Sequence, residues 1–279
     1  MKTPEQLKGA IRNIAKSKNL RPQEVLQMFL FERVLERLSQ SQYKNNFILK
    51  GGLLISSMIG INERTTMDMD TTTKGIEMEE NEIISIFNEI LNIDVNDGIT
   101  FELSKIGPIR EDDEYHNFRL HLKAIYGKIN SPMKIDITTG DKITPEAIEY
   151  QFPLLFEDKT IPLMAYNLET ILAEKYETII SRNISTTRAR DFYDLHTLYQ
   201  RRNNEINIEV LKKAIEQTSL KRNTIDEMNE WKEIIDDIKN EETLNDLWNI
   251  YIQENTFAAH ISFEEVIESL EIIAKVIHE

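Results

Sequence analysis

Phe47-Ile48-Leu49-Lys50 runs directly into Gly51-Gly52, and the apolar stretch from Leu53 continues to Met58. A short apolar run closed by two glycines is too brief for a helix and marks a strand ending in a tight turn; the stretch after it has helical length. The unit is therefore strand, turn and helix, and it obliges the chain to build a sheet that receives the strand and a layer that covers the helix. A double glycine opening a helix also presents bare backbone N–H groups, the usual cradle for a phosphate.

The segments on either side fit that frame. Residues 4–18 and 22–41 read as helices, with Leu7, Ile11, Ile14 and Ala15 at helical spacing and Pro22 suited to a first turn. Thr66 to Thr73 is rich in β-branched residues and predicts a strand, and 80–92 carries Ile83, Ile84, Phe87, Ile90 and Leu91 at helical spacing. Strands are expected at 99–106, 116–126 and 133–138; in the second, Phe118, Leu120, Leu122 and Ala124 alternate with Arg119, His121 and Lys123. After Pro162 the pattern is helical almost throughout, at 166–182, 188–201, 208–219, 225–238, 241–252 and 263–277. Asn167 and Thr187 are candidate N-caps, and Ser262 with Glu265 forms a capping box. The expected class is α+β (mixed α/β): a sheet domain over 1–160, opening with helices in 1–44, then a helical domain over 161–279.

With no cysteine, thiolate metal sites, disulfides and a cysteine nucleophile are excluded, so a metal must be held by oxygen or histidine. The five histidines show no metal or protease spacing and read as structural. No apolar run approaches the roughly 20 residues of a membrane span, and the N-terminus lacks a signal-peptide pattern. A cytoplasmic protein is expected. The formal net charge of −15 argues against a chain that coats nucleic acid over its whole surface. The charge is nevertheless uneven: residues 205–279 carry 18 acids and 7 bases, residues 1–44 carry 9 bases and 4 acids, and residues 182–202 carry five arginines and two aspartates. Lys8, Arg12, Lys16 and Lys18 gather on one expected helix.

Asp68 and Asp70 stand at i and i+2, which on a strand places both carboxylates on one face, where they can share divalent metal ions. Asp136, between Ile135 and Ile137, is costly unless paired, ligated or turned outward, and on a neighbouring strand it supplies a third carboxylate that serves as ligand and base. Arg64, ahead of the same pair, can fork onto a phosphate or bridge to Glu63. Lys175 lies at i+3 and i+4 from Leu172 and Ile171, so its stem can equally run along an apolar face and its head pair with Glu174. Arg188-Ala189-Arg190-Asp191-Phe192-Tyr193-Asp194 suits a phosphate-contacting surface with stacking rings, or a helix start whose aromatics are core.

Leu49-Lys50-Gly51-Gly52, Arg64-x-Thr66-x-Asp68-x-Asp70, Lys134-x-Asp136, Leu168 to Lys175 and Arg188-x-Arg190-Asp191-x-Tyr193-Asp194-Leu195 stand in an order that resembles the AbiEii/AbiGii toxin family, within the DNA polymerase β-like nucleotidyltransferase superfamily. The resemblance spans about residues 45–200. It implies a nucleotidyltransferase using Mg²⁺ or Mn²⁺ and an NTP. Asp68, Asp70 and Asp136 hold metal; Lys50, Gly51, Gly52, Arg64 and Thr66 bind the nucleotide; Lys175 meets phosphate; Asp191, one helical turn before Asp194, is catalytic. It further implies a tRNA 3′ end as acceptor, blocked translation, a role in abortive-infection defence against phage, and a cognate antitoxin encoded nearby. Two departures stand out: Gly52 replaces the serine of many polymerase β-like enzymes, and 15 residues separate Gly52 from Asp68.

Other classes fit parts of the pattern. The same chemistry can serve a small-molecule or protein acceptor, which the acidic composition favours. Asp68-Met69-Asp70-Thr71-Thr72 also matches the DxDxT of haloacid-dehalogenase-like phosphatases, although no GDxxxD follows, because Gly140-Asp141 leads to Pro145. A non-catalytic nucleotide-binding protein is the remaining class.

Overall fold

The computed structural model describes residues 3–109 and 117–278. His116 lies outside them. Two compact units are formed, one by Met1–Asp141 with Ile148–Ala165 and the other by Lys142–Ala147 with Tyr166–Glu279.

The first unit opens with α1 (Pro4–Lys18) and α2 (Pro22–Gln40), both with proline in the first turn, where its missing N–H costs nothing. Thr3 and Gln6 close a capping box on α1, and Leu7, Ile11 and Ala15 form its buried stripe. Next come β1 (Phe47–Lys50), α3 (Gly51–Ile59), β2 (Met69–Thr73) and α4 (Glu80–Leu91). β3 (Thr100–Pro108), β4 (Phe118–Tyr126), β5 (Ile129–Thr139), β6 (Ile148–Pro153) and β7 (Thr160–Ala165) complete one seven-stranded mixed sheet, ordered β3-β4-β5-β2-β1-β7-β6. β2 runs parallel to β5 and β1 parallel to β7; the other pairings are antiparallel. Phe118, Leu120, Leu122 and Ala124 of β4, with Met133, Ile135 and Ile137 of β5, point into the core, as the alternation requires.

In this unit three expectations need correction. The strand expected over Thr66–Thr73 begins only at Met69, because its neighbours supply no partners earlier: the β1 pairing ends at Lys50↔Asp70 and the β5 pairing starts at Met69↔Ile135. Thr66 instead closes a local turn, its hydroxyl accepting the Asp68 N–H at 3.3 Å. β6 and β7 were not foreseen; Pro162 marked a helical boundary in the sequence, yet it sits inside β7, beyond the two residues that pair with β1. The strand expected from 133 starts at Ile129.

The second unit holds α5 (Leu168–Arg182), α6 (Ala189–Arg202), α7 (Ile208–Arg222), α8 (Ile225–Asn229), α9 (Trp231–Asn240), α10 (Glu242–Glu254) and α11 (Phe263–His278). Asn167 caps α5 through Thr170 N–H at 2.8 Å, and Ser262 and Glu265 cap α11 reciprocally. Thr187 does not cap α6; Arg188 holds that position without a side-chain bond. The helix expected over 225–238 is two, broken at Glu230 (φ −89°, ψ 13°). Among the described residues no helix is long and apolar enough to cross a membrane.

Candidate active site

Strand register, more than sequence proximity, assembles the charged residues of the first unit. Asp70 on β2 lies opposite Lys50 of β1 on one side and Asp136 of β5 on the other, and Asp136 lies opposite Arg119 of β4. Directly opposed residues share a face, so Lys50, Asp70, Asp136 and Arg119 form one row across four strands, cation, acid, acid, cation. Arg119 forks onto Asp136 with two bonds of 2.7 Å, Nε to Oδ1 and Nη2 to Oδ2. That fork raises the guanidinium's pKa; partial burial opposes it, and the charges of Asp136, Asp68 and Asp70 add to it. Three carboxylates therefore act on one cation. At the other end, Lys50 Nζ meets Asp141 Oδ2 at 2.5 Å, and Thr138 donates to the same oxygen at 2.9 Å.

Asp68 stands just before β2, held by the Thr66 turn, while Met69 between the two aspartates is buried. The DxDxT phosphatase reading needs its first aspartate at the end of an apolar strand; here Asp68 precedes the strand, which argues against it.

Gly51 and Gly52 open α3 beneath this row. Gly51 has φ +70°, and a Cβ there would lie 2.8 Å from Asp70 Cγ and 2.9 Å from its Cβ, so the carboxylate rests against bare backbone. A Cβ on Gly52 would sit 3.1 Å from the Thr66 side chain and 3.2 Å from Arg64 Nη2. Arg64 is buried, donates to the Thr65 carbonyl, and its own carbonyl accepts from Ser56 of α3. Lys50, at the N-cap of α3, makes no side-chain capping bond to the helix. The structure thus brings Gly51, Gly52, Arg64, Thr66, Asp68, Asp70 and Asp136 to one region of the first unit, with Lys50 beside them.

Within the second unit, Lys175 of α5 reaches Asp191 at 2.6 Å and Asp194 at 2.9 Å, both on α6, and Arg188 Nε reaches the other oxygen of Asp191 at 2.6 Å. The aspartates are almost wholly buried. Burial presses the Lys175 ammonium towards its neutral form, but Asp194 and Asp191 outweigh it and leave the pKa above the ordinary lysine value. Lys175 is therefore not an exposed partner of Glu174, which pairs with Arg222 at 3.3 Å. Nor are Phe192 and Tyr193 stacking platforms: both are core, packed on Phe263 and on Tyr251 and Phe257.

The sequence matches the family described as "Nucleotidyl transferase AbiEii toxin, Type IV TA system" over residues 33–269. The chain belongs to the AbiEii family. The family description makes it a nucleotidyltransferase toxin of a toxin–antitoxin system. Two solved structures from Helicobacter pylori share its fold: JHP933, 17% identical, with 93% of each chain covered and a TM-score of 0.56, and one described as a "putative nucleotidyltransferase", 18% identical, with 93% of this chain and 96% of that one covered and a TM-score of 0.56. No curated protein matches the sequence.

In this AbiEii chain the donor set of the row is carboxylate oxygen only, the kind a hard divalent cation takes, and Arg119 supplies the countercharge. Among the described residues no three acidic or histidine side chains already converge as a metal-binding group. Sequence reasoning missed Arg119 and Asp141. Arg119 looked like one polar position of an alternating strand; only the β4–β5 register places it on Asp136.

Proposed function

We propose that the row centred on Asp70 and Asp136 transfers a nucleoside monophosphate from an NTP to an acceptor hydroxyl, with the tRNA 3′ end as acceptor. The observation that carries this reading is the in-register pairing of Asp70 with Asp136, with Gly51 pressed bare against the Asp70 carboxylate. Asp68 and Asp70, joined by Asp136, are the side chains to hold Mg²⁺ or Mn²⁺. Such ions, when bound, neutralise the triphosphate and acidify the attacking hydroxyl.

The chain's own groups have separable tasks. The α3 N-terminus at Gly51-Gly52, with Arg64 and Lys50, receives the triphosphate through N–H groups and positive charge. Asp136 takes the acceptor proton once Arg119 yields one of its two oxygens. The hydroxyl oxygen then attacks the α-phosphorus in line, the bond to the β-phosphate bridging oxygen breaks, and pyrophosphate departs. Lys175 and Asp191 are assigned to catalysis through the family resemblance; their triad with Asp194 supplies a fixed cation between two buried acids. Acceptor modification would block translation, and the type IV toxin–antitoxin description supports a cognate antitoxin in the same cell.

Incubating the protein with each labelled NTP separately, Mg²⁺ and total tRNA tests the reading. Label should pass to tRNA with the wild type and fall by at least about 100-fold in Asp70→Asn, on the scale of a lost electrostatic group. Equal transfer by Asp70→Asn, or label in a small molecule or protein with none in tRNA, would overturn it.

A further inference from the structure

Beside the carboxylate row, on the same face of the sheet, runs a second row of bases. Lys105 of β3 lies opposite His121 of β4, and His121 lies opposite Lys134 of β5. His121 is two residues beyond Arg119 on β4, and Lys134 is two before Asp136 on β5, so the rows share a face and stand about 7 Å apart. Lys105 and Lys134 are exposed and His121 half-buried, while the alternate residues Leu120, Leu122, Met133 and Ile135 fill the core. One step further, Lys123 lies opposite an acid, Glu102.

Stability does not account for this row. Among the described residues Lys105, His121 and Lys134 make no ion pair, and no backbone hydrogen bond of the sheet depends on these side chains. The acidic run 111–114 lies outside the described residues, so the row is defined by strands alone. In a chain of net charge −15, a strip carrying two exposed lysines beside the reacting carboxylates is a local exception whose natural complement is a polyanion.

The geometry points to the row Lys105–His121–Lys134 as the docking track for the phosphate backbone of an RNA acceptor, which it leads to the carboxylates from the β3 side. This rests on reading Asp68, Asp70 and Asp136 as the reacting site. Two lysines on one face, with His121 between them, fit the backbone of a single strand approaching end-on, and the Arg119 row beyond them is where its terminal hydroxyl arrives. The track differs from the α3 N-terminus, so acceptor and NTP are held by separate groups.

The test is binding of a fluorescein-labelled RNA hairpin with a single-stranded 3′ overhang to the full chain, by anisotropy, over about 0.05–0.3 M salt. Lys105→Ala/Lys134→Ala should weaken binding about tenfold at the lowest salt and flatten the log–log salt slope by about 1.4, or 0.7 per lost phosphate contact. Its thermal midpoint and its affinity for NTP with Mg²⁺ should match the wild type. The inference is overturned if the wild type does not bind the hairpin, if the double variant binds it with unchanged affinity and slope, if Lys8→Ala/Lys16→Ala on α1 takes the whole loss instead, or if NTP affinity falls as much as RNA affinity. Wild-type RNA binding lost in the double variant, without label transfer, would defeat the transferase reading and leave the track standing; label transfer untouched by the double variant would do the reverse.

Discussion

Gly51 is the residue where backbone and chemistry meet most closely. Its φ of +70° is a region that a side chain enters at a cost of about 1–2 kcal/mol, and a Cβ would press into Asp70. Gly51→Ala should therefore lower the thermal midpoint by an amount equivalent to at least that cost, and abolish label transfer by displacing the carboxylate; a variant with wild-type stability and activity would contradict the packing. Lys175 gives a second test at this scale. Removing one partner of a buried ionic group leaves the others uncompensated, so Lys175→Met should cost roughly 3–5 kcal/mol in a denaturant melt, and adding Asp191→Asn and Asp194→Asn should recover much of it. Because the Lys175 pKa is raised on folding, its contribution is complete below the ordinary lysine value of 10.5 and fades as pH climbs through the raised one. A melt series from pH 9 upward should lose stability more steeply in the wild type than in the triple variant.

Among the elements, α2 carries the clearest pH dependence. Glu32 is buried, its Oε1 accepts the Leu155 N–H at 2.7 Å, and burial pushes its pKa up to about 8, against a smaller lowering by Arg33. The folded chain therefore holds this proton up to about pH 8, whereas an unfolded glutamate releases it near 4.5. Stability should fall as pH rises from 4.5 to about 8; the gap, at about 1.4 kcal/mol per pH unit, sets a ceiling of roughly 5 kcal/mol. Glu32→Gln keeps the acceptor and removes the titration, so its stability advantage should grow from pH 5 to pH 8 in parallel denaturant melts. An advantage that stays constant across that range would rule out the buried neutral carboxyl. Much at this scale was legible in the sequence. The alternation of β4, the stripe of α1, Pro22 and the Ser262/Glu265 box placed their elements because each signal is local. β6 and β7 escaped because an edge hairpin with prolines has a weak period-two signal, and its place in the sheet is fixed by β7 pairing with β1. The same limit applies to the candidate site: Asp70 and Asp136 stood out as charges among apolar or β-branched neighbours, whereas Arg119 and Asp141 gain meaning only from cross-strand register and a loop return.

Across the whole chain, charge is segregated, and that sets how stability responds to salt. Residues 205–279 hold 18 acids against 7 bases, and several of the acids sit one helical turn apart, as Glu264, Glu268 and Glu271 do on α11. One is neutralised where Lys239 meets Glu271 at 2.9 Å, while Arg222, one of the seven bases, is taken by Glu174 and Glu177 outside the segment. The exposed remainder repel one another over distances comparable with the Debye length, about 10 Å at 0.1 M salt. Raising salt screens this repulsion more than it weakens the buried ion pairs, since the Lys175 triad and the Arg37–Asp97 pair at 2.7 Å are shielded from solvent. Sodium chloride raised from about 0.05 to 0.5 M should therefore increase the thermal midpoint, by about 2–4 °C for each kcal/mol relieved in a chain of this size. Lysine substitutions at Glu264 and Glu268 should reproduce part of that gain at low salt and shrink the further gain from added salt. The same salt range is expected to weaken RNA binding, so stability and affinity should move in opposite directions; a midpoint that falls as salt rises would mean that ion pairs, and not acidic repulsion, dominate the electrostatics of the fold.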